Sequence, residues 1–166
     1  MKSRFHFAVL AIALAAFAGA YAQAQSPSVA FTAPAAVTLQ AGKTGNLVLP
    51  FRVANGFHIN SHKPHEDYLI PTELKLEPPS TVMVSKVDYP DGKDSSFPFA
   101  PDEKLNVYSG DFSVAVQVHA LPKTPAGKYL LKGVLRFQAC DNRACYPPKN
   151  TPVEFEVNVA QSSGMR

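Results

Sequence analysis

Cysteine is scarce in this 166-residue chain: there are two, Cys140 and Cys145, and both lie in the stretch QACDNRACYPPKN. A fold with one possible disulfide is not a small scaffold stapled by many bridges, so it has to rest on a hydrophobic core. Long runs of one charge are also missing. The 16 Lys and Arg stand against 13 Asp and Glu, and setting aside Lys2 and Arg4 leaves a balance of about +1. That excludes nucleic acid as the expected ligand, because phosphate binding needs a concentrated basic footprint. Beyond the N-terminus no apolar stretch of about 18 residues occurs, which excludes a stop-transfer span. Helical periodicity is rare too, since the 15 prolines seldom leave a helix-length gap with apolar residues at i, i+3 and i+4.

The first two dozen residues carry an address. Lys2 and Arg4 precede the uncharged run FHFAVLAIALAAFAGA, which ends in the small-residue patterns Ala20-Tyr21-Ala22 and Ala22-Gln23-Ala24. This is the pattern of a secretory signal peptide over residues 1–24, cut after Ala22 or Ala24. No cysteine sits near the cut to carry a lipid. The expected product is exported and soluble, with one domain over 25–160 and a frayed tail over 161–166. In an oxidising compartment the default state of Cys140 and Cys145 is a disulfide.

Alternation of period two replaces the missing helical pattern. In DFSVAVQVHA, Val114, Val116 and Val118 alternate with small or polar residues, and in PVEFEVNV so do Val153, Phe155, Val157 and Val159. Both read as half-buried strands. Weaker strand candidates are 29–33, 37–40, 46–53, 56–60, 73–77, 82–88 and 105–108, separated by turn signals such as Pro78-Pro79 and Pro90-Asp91-Gly92. Residues 90–104 read as one long loop. Many short strands with frequent turns predict an all-β fold, an immunoglobulin-like β-sandwich.

Within a strand over 129–140, Tyr129, Leu131, Leu135 and Phe137 share one face and Lys132, Arg136, Gln138 and Cys140 the other, so a regular strand points Cys140 away from the core. Asp141-Asn142-Arg143-Ala144 then reverses the chain. In such a β-hairpin Cys140 and Cys145 lie opposite each other with Cα atoms roughly 4.5–5.5 Å apart, within disulfide range. Closing so short a loop removes only about 2 kcal/mol of unfolded-state entropy. The spacing is poor for a staple and suits reversible exchange, although an inert short-loop bridge stays open at this point.

The run RFQACDNRACYPPKNTPVEFEV resembles the redox-active hairpin of the N-terminal periplasmic domain family of the thiol:disulfide interchange protein DsbD. The block GFHINSHKPHEDYLIPTELKLEP and Tyr108-Ser109-Gly110 also look like that family. The resemblance implies an immunoglobulin-like sandwich and a periplasmic location. It implies a thiol:disulfide oxidoreductase that relays electrons between thioredoxin-fold proteins with no cofactor. It implies that Cys145 forms the mixed disulfides, that Cys140 resolves them, and that an aromatic residue on a loop caps the bond. The best-known member of that family has five residues between its cysteines where this chain has four. The family's membrane and thioredoxin domains are not in the sequence, so a membrane electron transporter is expected to act in trans.

Phe97 and Phe99 are the candidates for the cap, against a reading in which they only anchor the loop; Tyr146 either packs on the sulfur or is ordinary strand packing. Asp141 disfavours a thiolate at Cys140, while Arg143 and Lys149 favour one. His58, His62 and His65, with Glu66 and Asp67, raise a metal-site alternative, set against solvated loop histidines. The other alternative is a secreted immunoglobulin-like binding module with an inert Cys140–Cys145 bond.

Overall fold

The computed structural model describes residues 28–161. The signal peptide expected over 1–24 lies outside the described residues, as does all but the first residue of the tail. Among the described residues there are twelve strands and no helix.

The two strongest alternations are strands over almost the lengths expected. Strand β9 is Asp111–Ala120 and buries Val114, Val116, Val118 and Ala120; β12 is Lys149–Ala160 and buries Val153, Phe155, Val157 and Val159. Each becomes an inner strand of one four-stranded sheet. The first sheet runs β1 (Val29–Phe31), β3 (Thr44–Val53), β9, β6 (Val82–Asp88), antiparallel throughout. The second runs β2 (Val37–Gln40), β12, β10 (Gly127–Phe137), β5 (Glu73–Glu77), with β2 parallel to β12 and the other pairs antiparallel. β-branched side chains fill both inner faces because their stiff χ1 preferences suit a pleated surface. The result is an immunoglobulin-like β-sandwich. Phe155, Leu131, Leu135 and Phe137 of the second sheet share one core with Leu49, Phe51, Val114 and Val116 of the first.

Glycine is required at one point of this frame. Gly133 pairs with Leu76 of β5, and a Cβ there runs into the Lys75 carbonyl.

A third sheet, β11 (Ala139–Cys140), β4 (His58–Asn60), β8 (Ala100–Tyr108), β7 (Lys93–Phe97), corrects two expectations. Residues 90–104 are not one long loop. They contain β7 and the start of β8, paired from Lys93 with Val107 to Phe97 with Ala100. Lys93-Asp94-Ser95-Ser96 lacks apolar alternation because β7 is a sheet edge with little to bury, and its extended form comes from pairing with β8. Nor is 129–140 one regular strand. β10 ends at Phe137, Gln138 belongs to no strand, and β11 leaves the second sheet to pair with β4. The switch carries the cysteine region from the sandwich to the small sheet.

The core should behave as a close-packed interior. Phe155 is 2% exposed between the sheets, so Phe155→Ala is expected to cost about 3–5 kcal/mol through lost transfer energy and the cavity left behind. Urea unfolding of the two proteins measures this directly.

Candidate functional site

Both cysteines sit at the tip of the β10–β12 hairpin, past the last regular pair, Phe137 with Lys149. Pro147 and Pro148 have no N–H to donate, which helps to end the ladder on that side. Between them the chain closes a smaller hairpin: Tyr146 N donates to Ala139 O (2.8 Å) and Asp141 N to Ala144 O (3.0 Å). Cys140 and Cys145 therefore form the pair between these two bonds, the position at which antiparallel backbones approach most closely. Their Cα atoms are 3.9 Å apart and the disulfide is formed, a closer approach than the sequence-based range.

The two sulfurs are not equivalent. Cys140 is 0% exposed, whereas Cys145 is exposed. The expectation that Cys140 points to solvent is corrected here: it stands apart from the sandwich's core cluster, yet is covered. The cover comes from the third sheet, which no periodicity along 129–140 could reveal.

The turn is held by one carboxylate. Asp141 Oδ1 accepts from Arg143 N (2.7 Å) and Ala144 N (3.0 Å), and Oδ2 accepts from the Tyr146 hydroxyl (2.6 Å). These bonds, the Tyr146 one foremost, hold the Asp141 carboxyl at about 2, below its ordinary 3.8. Tyr146, 37% exposed, is thus a clamp on the turn, its ring 6.1 Å from Phe57. Arg143 lies 3.6 Å from Asp141, so its charge faces a carboxylate.

Phe97 and Phe99 flank the turn between β7 and β8, both half-buried. The Phe97 ring stacks on His58 with centroids 3.7 Å apart, and Phe99 lies in the same stack 5.7 Å from Phe97 and 6.1 Å from His58. His58 is the strand partner of Cys140. Phe99 and Cys145 also line one groove of about 480 Å³ together with Tyr68, Leu69, Glu103 and Gln138. The two phenylalanines are thereby brought to the cysteine tip, Phe97 through His58 and Phe99 across the groove.

The three histidines part company. His58 is 4% exposed beside Cys140. His62 stacks on Tyr89 at 3.7 Å and donates through Nδ1 to Thr72 O, and His65 Nε2 meets Asp94 at 2.8 Å. Among the described residues no three His, Cys, Asp or Glu side chains gather as a metal site would need. His58 is not a solvated loop histidine either. Burial pushes its pKa down to about 4 against a smaller opposing pull from Asp141. Sequence reasoning weighed it only as a metal ligand or a solvated loop histidine, not as the neighbour of Cys140, because that pairing joins segments far apart in the chain. Buried Asn60 ties this strand to the sheet switch, donating to Ile70 O (3.0 Å) and Gln138 Oε1 (3.3 Å).

An all-β sandwich whose hairpin tip carries one exposed and one covered half-cystine near an aromatic stack defines a class: a scaffold that presents a single disulfide at its surface. The family is shown by comparison. A family model described as thiol:disulfide interchange protein DsbD, N-terminal, matches residues 23–156, and the chain belongs to that family. Among solved structures, the reduced DsbD N-terminal domain of Neisseria meningitidis is 23% identical, with 71% of this chain and 82% of that one covered and a TM-score of 0.44. The N-terminal periplasmic domain of ScsB from Proteus mirabilis is 15% identical over 76% of this chain and 43% of that one, TM-score 0.47. A complex between the DsbD N-terminal and PilB N-terminal domains of N. meningitidis matches at 21% identity over 66% and 73%, TM-score 0.42. No curated protein matches the chain.

The shifted groups set a pH dependence. The pKa of His58 is about 4 in the fold against an ordinary 6.5, so the unfolded chain binds its proton first and stability falls as pH drops from 6.5 to 4. Asp141 is also shifted down, but because hydrogen bonds favour its charged form: its contribution is present above 3.8 and lost as pH falls toward 2. Urea midpoints measured across pH should show the His58→Phe variant flattened between 6.5 and 4. Asp141→Asn should lower the neutral-pH midpoint and flatten the curve below 4.

Proposed function

We propose that this protein is a periplasmic thiol:disulfide exchange module, relaying electrons between thioredoxin-fold partners through reversible opening of the Cys140–Cys145 bond. Membership of the DsbD N-terminal family supports this reading. The observation that carries it is the inequality of the two sulfurs, Cys140 covered and Cys145 exposed. A structural staple has no use for one accessible sulfur, and a loop this short stabilises little.

On this reading a partner thiolate attacks Sγ of Cys145, a mixed disulfide forms there, and Cys140 is the leaving group. In the reverse direction Cys140 attacks Cys145 Sγ and releases the partner thiol. No cofactor takes part. Phe99 and Phe97 are the cap, and Tyr146 keeps the turn in shape through Asp141. The proposed donor is a membrane electron transporter acting in trans on an exported domain; among the described residues no helix is long and apolar enough to cross a membrane.

Trapping tests the relay. Cys140→Ser should accumulate a mixed disulfide through Cys145 with a thioredoxin-fold protein, visible on non-reducing gels, and Cys145→Ser should not. If neither variant is trapped while the wild-type bond has a reduction potential well below about −300 mV, the bond is structural and the relay reading fails.

The cap generates a second expectation. Phe99→Ala opens the groove beside Cys145, so reduction by a small dithiol should be faster by about tenfold, the scale of one partly buried ring's packing. Stopped-flow comparison of Phe99→Ala and Phe97→Ala with wild type reads this out. Equal rates for all three would remove both rings from the cap.

A further inference from the structure

His58 carries a buried polar atom that nothing satisfies. Its Nε2 has no hydrogen-bond partner, in a side chain only 4% exposed and stacked on Phe97. A buried polar group without a partner costs stability, and native proteins keep few of them. The direct strand partner of His58 is Cys140. Directly opposed residues of an antiparallel pair project from the same face with Cβ atoms about 5 Å apart. The imidazole and the covered Cys140 side chain are therefore neighbours on one face of this strand pair.

In the disulfide, Cys140 Sγ is bonded to Cys145 and has no proton to offer. Reduction changes that. A donor thiolate attacks Cys145 Sγ, the S–S bond breaks, and Cys140 leaves as a thiolate that takes up a proton. The donor's second thiol then displaces Cys145, closing the donor's own disulfide. Two electrons and two protons have passed to the protein, and an S–H donor now stands beside the vacant nitrogen.

We infer that Nε2 of His58 accepts a hydrogen bond from the Cys140 thiol in the reduced protein, and so biases the site toward the dithiol. The ring suits this part because its burial keeps it uncharged at neutral pH, with a lone pair free on one nitrogen. Phe97 and Phe99 are the apolar groups stacked with it and Asp141 the charge that acts on it. This deepens the exchange reading by assigning a residue that tunes the same bond, and it rests on that reading only for its biological use.

Equilibration of the full chain with dithiothreitol tests it without any protein partner. His58→Phe keeps a ring against Phe97 but has no acceptor; His58→Gln places an amide near the Nε2 position. The expected result for His58→Phe is a shift of the dithiol–disulfide equilibrium toward the disulfide by about tenfold, the scale of one buried hydrogen bond. His58→Gln should recover most of that shift. An unchanged equilibrium in His58→Phe, or an equal shift in both variants, overturns the assignment. A second measurement needs no substitution: the imidazole nitrogen NMR signals of wild-type His58 should move on reduction, and identical signals in both states overturn it as well. Failure to exchange with thioredoxin-fold proteins would sink the relay and leave these results standing, so the two ideas fail separately.

Discussion

The pairing of Ala139 and Cys140 with Ile59 and His58 is the contact on which the site depends. It pulls the end of a sandwich strand into a second, smaller sheet and so places one cysteine under cover. The small sheet brings its own outer hairpin, and with that the rings of Phe97 and Phe99. One short stretch of backbone pairing thus goes with the accessibility, cover and company of the Cys140 sulfur.

The arrangement separates two demands that a surface disulfide places on a protein. The sandwich supplies rigidity through apolar burial far from the sulfurs, in Phe155, Leu131 and their neighbours. The tip supplies chemistry and is held by polar bonds instead: Asp141 gathers two turn amides and the Tyr146 hydroxyl, and Asn60 bonds Gln138 at the sheet switch. None of these polar ties involves the sulfurs themselves. Opening and closing of the bond can therefore proceed on a scaffold that does not depend on it, in keeping with the small entropy such a loop removes.

Much of the architecture was legible in the sequence. The segments 37–40, 73–77, 82–88 and 111–120 are strands with the bounds that alternation and turn residues indicate. Their burial is one-sided, so the pattern is written residue by residue. Where local pattern was weak it misled. Lys93–Phe97 has no apolar alternation because an edge strand with an exposed face needs none, and it read as loop. His58 read as a solvated histidine or a metal ligand because nothing local marks a polar residue as buried.

The sequence by itself determined the fold class, the proximity of Cys140 and Cys145, and the turn between them, since each follows from spacing along the chain. It also carried the family in the residues around that pair. Only the tertiary structure decided which sulfur faces solvent, that Phe97 stacks on His58 rather than on the core, and that the three histidines separate. Those outcomes depend on pairings between segments about 30 to 80 residues apart along the chain, and no local periodicity encodes which strand a given segment will meet.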